Sequence, residues 1–385
     1  MPCRFIRGVY PEVLENGRDA HVWDADGNEF IDLIAGLGAV SVGYADRDIN
    51  EAAWEQMQNG VSFSLPHRLE AEVAEKLIQL IPGTDMWKFG KNGTDATVMA
   101  VRAARAFTKR TKIMTVGYNG CADQFEITGV RNAGIPKELE STITKATYND
   151  LKSFSDILCG EYACVLMEPM VYEYPEPGFL ETIRDACNAS GTLLIFDEVV
   201  TGGRFREFSA QSSFKVLPDL TCLGKAIANG FPLSAVGGAR RIMETFGRHD
   251  FFASGTFGGE TVSLAACLAT LHKLEESTGR TVEIGQKIQD AFNTIFNGIA
   301  TCEGYPTRLI FKFKTPEHKA LFMQEMCLNG VLVGHANMAM ASLTDSDVQY
   351  VIDAFHKSIN VILHFYASPL NGLKGPLPED ALRKS

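Results

Sequence analysis

Two residues of complementary chemistry each sit beside an apolar run. Lys225 lies in Thr221-Cys222-Leu223-Gly224-Lys225-Ala226-Ile227-Ala228-Asn229-Gly230, and Asp197 follows Leu193-Leu194-Ile195-Phe196. A deprotonated lysine amine adds to an aldehyde to form a Schiff base. A carboxylate taken out of water must be paired or must take up a proton, and a protonated ring nitrogen would pair it. The two residue types together suit a chemistry in which an aldehyde-bearing aromatic ring is held by the amine at one point and by the acid at another. Each alone has a plainer reading: Lys225 as a solvated surface lysine, Asp197 as the partner of an arginine. Gly224 before the lysine and the apolar 226–228 after it favour a buried position. There desolvation brings an amine towards the pKa range of a nucleophile and proton shuttle.

Other groups cluster in the same part of the chain. Asn92-Gly93-Thr94 separates a short apolar run from a helical stretch. A helix start offers unpaired N–H groups and a positive dipole end, and a glycine lets a phosphate approach the backbone. The same residues would also serve as an ordinary helix cap. Gly117-Tyr118-Asn119-Gly120 follows the next apolar run, where an aromatic side chain can stack on a flat ring or simply cover surface. Glu168 ends another run in Met167-Glu168-Pro169. Val199 shares the side of Asp197 on an extended chain and can pack under a ring. Gly255-Thr256-Phe257-Gly258-Gly259 is a second candidate phosphate turn, ahead of a helix expected from Thr261 to about Leu274. Gly36-Leu37-Gly38 resembles a dinucleotide loop only superficially, because the spacing fails G-x-G-x-x-G.

These residues need a scaffold that brings them together. From about residue 85 to 270, short apolar runs (86–89, 112–116, 163–167, 193–196, 220–223 and 233–236) alternate with helical stretches. That alternation predicts an α/β domain with a mostly parallel sheet covered on both faces. Ligands bind such sheets beyond the carboxyl ends of the strands, where Glu168, Asp197 and Lys225 all fall. Before this region, Asp26-Gly27-Asn28 between strand-like runs predicts a hairpin. Leu69, Val73, Leu77 and Leu80 predict a helix over 68–81. After about residue 275, a helix over 281–299, an alternating strand over 307–314, a helix over 316–328 and a strand over 330–333 suggest a smaller α+β domain.

Composition excludes several classes. The chain has 385 residues, a formal net charge of -11 and no basic block, so nucleic acid is not an expected partner. No apolar run reaches the length of a membrane span, and the start lacks the core of a signal peptide. Nine cysteines without Cys-x-x-Cys, and eight histidines without His-x-x-x-His, predict free thiols in a reducing cytoplasm and no metal centre.

In this order the motifs resemble the class III aminotransferases among the fold type I pyridoxal phosphate enzymes, in the branch similar to glutamate-1-semialdehyde 2,1-aminomutase. The resemblance runs from Tyr10-Pro11 to about Leu274 and more loosely beyond. Its most specific stretch is Leu194-Ile195-Phe196-Asp197-Glu198-Val199-Val200-Thr201-Gly202, then Pro218-Asp219-Leu220, then Gly224-Lys225-Ala226-Ile227-Ala228-Asn229-Gly230-Phe231-Pro232. It implies a large pyridoxal-phosphate-binding domain with a seven-stranded sheet over 61–275. The N-terminal segment 1–60 would join a small domain at 276–385. Lys225 would form the aldimine, Asp197 would bind the pyridine nitrogen, and Val199 and Tyr118 would cover the two ring faces. Asn92, Gly93 and Thr94 would hold the phosphate, with Asn119 and Glu168 near the cofactor. Thr256 would reach the phosphate of a neighbouring subunit, making a homodimer the working unit. The activity implied is transfer of an amino group from a small-molecule donor to a keto or aldehyde acceptor, or, as the alternative, intramolecular transfer as in the aminomutase. Departures fall around the pocket. Lys91-Asn92-Gly93-Thr94-Asp95-Ala96 stands where Asn-Ser-Gly-Thr-Glu-Ala is common, Asn119 stands where a histidine is common, and Gly203 where a phenylalanine is. The connection from Phe125 to Tyr148 is brief where the aminomutase carries a mobile lid. Arg204 could bind a substrate carboxylate or form a structural ion pair, and 62–68 borders the substrate in the family.

Overall fold

The computed structural model describes residues 5–129 and 132–378. The chain divides into two compact units, Met1–Arg47 with Glu276–Leu382, and Asp48–Glu275. It opens with an antiparallel meander of β1 (Leu14–Arg18), β2 (His21–Asp24) and β3 (Glu29–Asp32). Asp24 builds the β2–β3 turn, its carboxylate accepting from the backbone N–H of Asp26 (3.0 Å) and of Asn28 (2.8 Å). α1 (Arg47–Asn59) and α2 (Arg68–Leu80) follow, and α2 buries Leu69, Val73 and Leu77, as their spacing predicts.

The larger unit is built on seven strands: β4 (Met86–Gly90), β5 (Lys112–Val116), β6 (Ile143–Lys145), β7 (Tyr162–Met167), β8 (Leu193–Asp197), β9 (Leu220–Leu223) and β10 (Ser234–Gly238). They form one sheet in the order 4-10-9-8-7-5-6. β10 is antiparallel to both neighbours, and the other four pairings are parallel. Every residue of β7 and β8 is buried, as expected of strands covered on both faces. On one face Ile113, Cys164, Leu166, Leu193, Ile195, Leu220 and Cys222 pack with Ala96, Ala100 and Ala104 of α3 (Gly93–Thr108). On the other, Met114, Val116, Val165, Met167, Leu194 and Phe196 pack with Phe179, Ile183 and Cys187 of α4 (Phe179–Ser190).

This alternation decides where the chemistry emerges. Side chains on a strand change face at each residue. Continuing the α3-facing positions past the last strand residues reaches Gly117 after β5, Glu168 after β7, Asp197 at the end of β8 and Gly224 after β9. All four lie at the carboxyl ends of parallel strands and on the side of α3.

Two elements differ from the sequence pattern. β6 is a three-residue strand, too short to carry an apolar signal. The helices expected over 261–274 and 281–299 are one helix, α5 (Thr261–Ile295). Gly279 reads as a break, but an interior glycine costs only about 1 kcal/mol, and buried Leu271, Leu274, Ile284 and Ile288 carry the helix through it.

The chain then forms β11 (Ala300–Glu303), β12 (Arg308–Phe313), α6 (Pro316–Leu328), β13 (Val331–Leu332), β14 (Asn337–Met338) and α7 (Asp345–His364). β13 adds parallel to β3, while β11, β12 and β14 make a second, antiparallel sheet. The core of this smaller unit is aromatic, with Phe292, Phe296, Phe311, Phe322 and Phe355 all buried and Phe292 in ring contact with each of the other four. Among the described residues no helix is long and apolar enough to cross a membrane.

Candidate active site

Asp197 is 4% exposed at the end of β8. Asn119 Nδ2 donates to its Oδ2 at 3.2 Å and the backbone N–H of Val199 donates to its Oδ1 at 3.2 Å. Burial pushes its carboxyl up and the charge of Glu168 pushes it further. The two hydrogen bonds and the charge of Lys225 pull back, and the balance lies at about 7. Near neutral pH this acid is therefore poised between its two forms, and a cation placed against it would ionise it.

Glycines make the space beside it. A Cβ on Gly93 would stand 2.8 Å from Val199 Cγ1, and one on Gly224 would stand 3.3 Å from the same atom. Val199 thus lies against bare backbone on two sides, one at the head of α3 and one just before Lys225. Gly117 takes a left-handed φ of 76°, and a Cβ there would meet Glu168 Oε1 at 2.9 Å. The same oxygen accepts from the backbone N–H of Tyr118 at 3.4 Å. Gly120, at φ 115°, leaves room for Thr94 Oγ1, which a Cβ would approach to 2.5 Å.

α3 also fixes the 117–121 loop. Buried Thr97 Oγ1 donates to the carbonyl of Asn119 at 2.7 Å, and Thr94 Oγ1 accepts from the backbone N–H of Cys121 at 3.2 Å. The head of α3 is closed by Asp95, whose Oδ2 accepts from the N–H of Lys91 and of Asn92, each at 2.8 Å. The N–H groups of Gly93 and Thr94, in the first turn, have no helical carbonyl to bind. An anion would find them there.

Lys225 is half-buried and has φ 45°, a left-handed conformation uncommon for a residue with a side chain. The apolar helix start expected after it is a single 3-10 turn, Lys225–Ala228, with Ala226, Ile227 and Ala228 buried. Asn229, also left-handed at φ 45°, ends the turn.

The structure therefore brings Gly93, Thr94, Asn119, Glu168, Asp197, Val199 and Lys225 together, with Asn92 and Tyr118 on the exposed side. Thr256 is not among these contacts; it lies exposed in the turn before α5. Arg204 is 3% exposed. His67 caps α2, its ring nitrogen accepting from the N–H of Leu69 at 3.3 Å, while Arg68 reaches Glu72 at the surface. Thr97, Gly117 and Gly120 were not singled out from the sequence for a role at the site. The glycines carried a signal in their positions flanking Tyr118-Asn119, whereas Thr97 carried none within a helical stretch.

The donor set suits pyridoxal phosphate. A buried acid stands where a cationic ring nitrogen would pair it, a valine lies bedded on glycine, an amine sits on the next strand end, and a helix head has N–H groups to offer a phosphate. Known proteins agree with this chemistry. The family model for aminotransferase class-III matches residues 7–359. A glutamate-1-semialdehyde 2,1-aminomutase of Francisella tularensis subsp. holarctica is 34% identical over 340 residues, covering 80% of this chain and 79% of the relative. Among solved structures, the FumI protein of Sphingopyxis sp. MTA144 in its pyridoxal phosphate internal aldimine form has a TM-score of 0.89 at 26% identity, covering 95% of this chain and 92% of that one. An omega-transaminase from Sphaerobacter thermophilus has a TM-score of 0.87 at 27% identity, covering 93% and 92%.

Proposed function

The chain belongs to the class III aminotransferases, and from that premise we propose how its residues share the transfer of an amino group from a small-molecule donor to a separate keto or aldehyde acceptor. Bound pyridoxal phosphate supplies an aldehyde that condenses with amines and a protonated ring that accepts an electron pair. Lys225 supplies the amine that anchors that aldehyde and afterwards carries a proton to and from the substrate carbon at its Nζ. Asp197 keeps the ring nitrogen protonated, and Asn119 holds the Asp197 carboxylate in line. Val199 and Tyr118 cover the two ring faces and exclude water. Gly93 and Thr94, at the head of α3, receive the phosphate, with Asn92 beside them. Glu168 fixes the backbone at Gly117 and Tyr118.

The observation that carries this reading is the poised Asp197. It is a fully buried acid, hydrogen-bonded to Asn119 and within the electrostatic reach of Lys225. The test is a half-reaction screen. Single amino donors are added to the loaded protein and the visible absorbance is followed. A donor that bleaches it, with recovery on adding a keto acid or aldehyde, supports transfer between separate molecules; a protein that no donor bleaches does not perform it. The aminomutase-named relatives favour a second reading, intramolecular transfer. Incubation with glutamate-1-semialdehyde alone separates the two, since 5-aminolevulinate formed without any added donor belongs to the second.

We further infer a homodimer acting in the cytoplasm. Phe252 and Phe257, 78% and 58% exposed, flank Thr256 and would be covered by a second copy. Eight described cysteines are free thiols, which fits a reducing compartment. Mass photometry at nanomolar to micromolar concentration tests the dimer, and a monomer throughout that range would remove it.

A further inference from the structure

The turn ahead of α3 carries a charge arrangement that the roles above leave unused. Lys91 Nζ is 2.8 Å from Glu260 Oε2, and the two side chains are only 18% and 12% exposed. Glu260 heads α5, where it accepts from the backbone N–H of Val262 at 2.7 Å and from Ser263 Oγ at 2.6 Å. Burial alone would raise its pKa, but the hydrogen bonds from Lys91 and Ser263 hold it below the ordinary value. On the other side, the backbone N–H of Lys91 is held by Asp95. The 255–259 turn is pressed into the same region: a Cβ on Gly258 would stand 2.8 Å from the carbonyl oxygen of Phe89, and one on Gly259 would stand 2.8 Å from the carboxyl carbon of Glu70. Three carboxylates, those of Asp95, Glu260 and Glu70, thus belong to the segments that these contacts join.

Acids at helix heads occupy the positive dipole end that an anionic ligand would use. All three cap helices: Glu70 at α2, Asp95 at α3 and Glu260 at α5. Left unbalanced, they would repel a phosphate arriving at Gly93 and Thr94. Lys91 brings a cation against this group of acids. We propose that Lys91 is a positioning residue: held against Glu260, its charge offsets the surrounding carboxylates so that the head of α3 accepts a phosphate. The inference rests on the reading that Gly93 and Thr94 hold the phosphate of the cofactor.

The test compares two ligands of the full-length protein, pyridoxal 5′-phosphate and pyridoxal, which lacks the phosphate, by equilibrium binding rather than turnover. Lys91→Met is expected to weaken the phosphorylated ligand about tenfold and pyridoxal by less than about twofold, with the difference shrinking as salt is raised. The double variant Lys91→Met/Glu260→Gln recovers most of the loss, because a neutral pair replaces an unpaired acid, and Lys91→Arg keeps the wild-type preference. Equal weakening of both ligands, or no recovery in the double variant, overturns the proposal. Glu260→Gln alone gives a check that does not depend on the folding of Lys91→Met. It leaves the lysine charge unbalanced and is expected to raise the preference for the phosphorylated ligand, so a lowered preference overturns the idea. A wild-type protein that binds neither ligand would instead remove the cofactor reading itself.

Discussion

Asp197 makes the ligand-free protein sensitive to pH in a direction opposite to most carboxylates. Its folded pKa of about 7 lies above the unfolded value, which is about 3.9. Below both values neither state differs in protons from this group. As pH rises through about 4 the unfolded chain releases its proton first, so the stability of the empty protein falls until about pH 7 and then levels. Asp197→Asn removes that slope. Denaturant unfolding across pH 4.5 to 8 should show the ligand-free variant gaining on wild type as pH rises, by about 3 kcal/mol at the alkaline end, while losing activity. Parallel pH profiles would refute the raised pKa. Lys225→Ala should abolish both turnover and the protein-linked cofactor absorbance at roughly 400–430 nm. Retention of either would reassign the lysine. At this scale the sequence was informative for residues whose type and local setting are unusual, an acid closing an apolar strand and a lysine after glycine. It placed Asn119 near the cofactor only through the resemblance and gave no sign of its contact with Asp197, which joins positions 78 apart; it was silent on Thr97, which looks like any helical threonine.

The elements explain why those residues meet. The alternation of short apolar runs with helices was enough to read a doubly covered parallel sheet, and its period of two carries Gly117, Glu168, Asp197 and Gly224 to one side. What periodicity could not supply was the local backbone: the left-handed Lys225, the single 3-10 turn after it, the three-residue β6 and the continuity of α5 through Gly279. These depend on packing across the fold rather than on neighbours in sequence. The 117–121 loop hangs from α3 by Thr97 Oγ1, and Thr97→Val leaves the carbonyl of Asn119 without that donor. It should cost about 1–2 kcal/mol in thermal or denaturant unfolding and weaken cofactor binding several-fold by loosening Asn119 against Asp197. Unchanged affinity would mean the loop is held elsewhere. Gly120→Ala is expected to be worse, because it combines a left-handed φ of 115° with a Cβ 2.5 Å from Thr94 Oγ1. Cofactor affinity measured by dialysis decides it, and wild-type affinity in this variant would show that the loop can shift without consequence.

For the whole molecule, composition and charge set limits that the structure fills in. A net charge of -11 describes the surface as a whole, yet it says nothing of where 24 phenylalanines gather. Five of them form the core of the smaller unit, and Phe292 contacts the other four. Phe292→Ala should cost about 3–5 kcal/mol, read as a fall in the denaturant midpoint. A loss below about 1 kcal/mol would mean that the remaining rings close the gap.

The large sheet ends in β6 at one margin and β4 at the other. β6 offers only three residues, the last of them Lys145. At the other margin, the 255–259 turn approaches β4, where a Cβ on Gly258 would stand 2.8 Å from the carbonyl oxygen of Phe89. Open strand margins are where folded chains recruit one another into fibrils and amorphous deposits. With one margin short and the other approached by the 255–259 turn, a Gly258 variant that lifts that turn away from β4 should cloud before the wild type when turbidity is followed on storage.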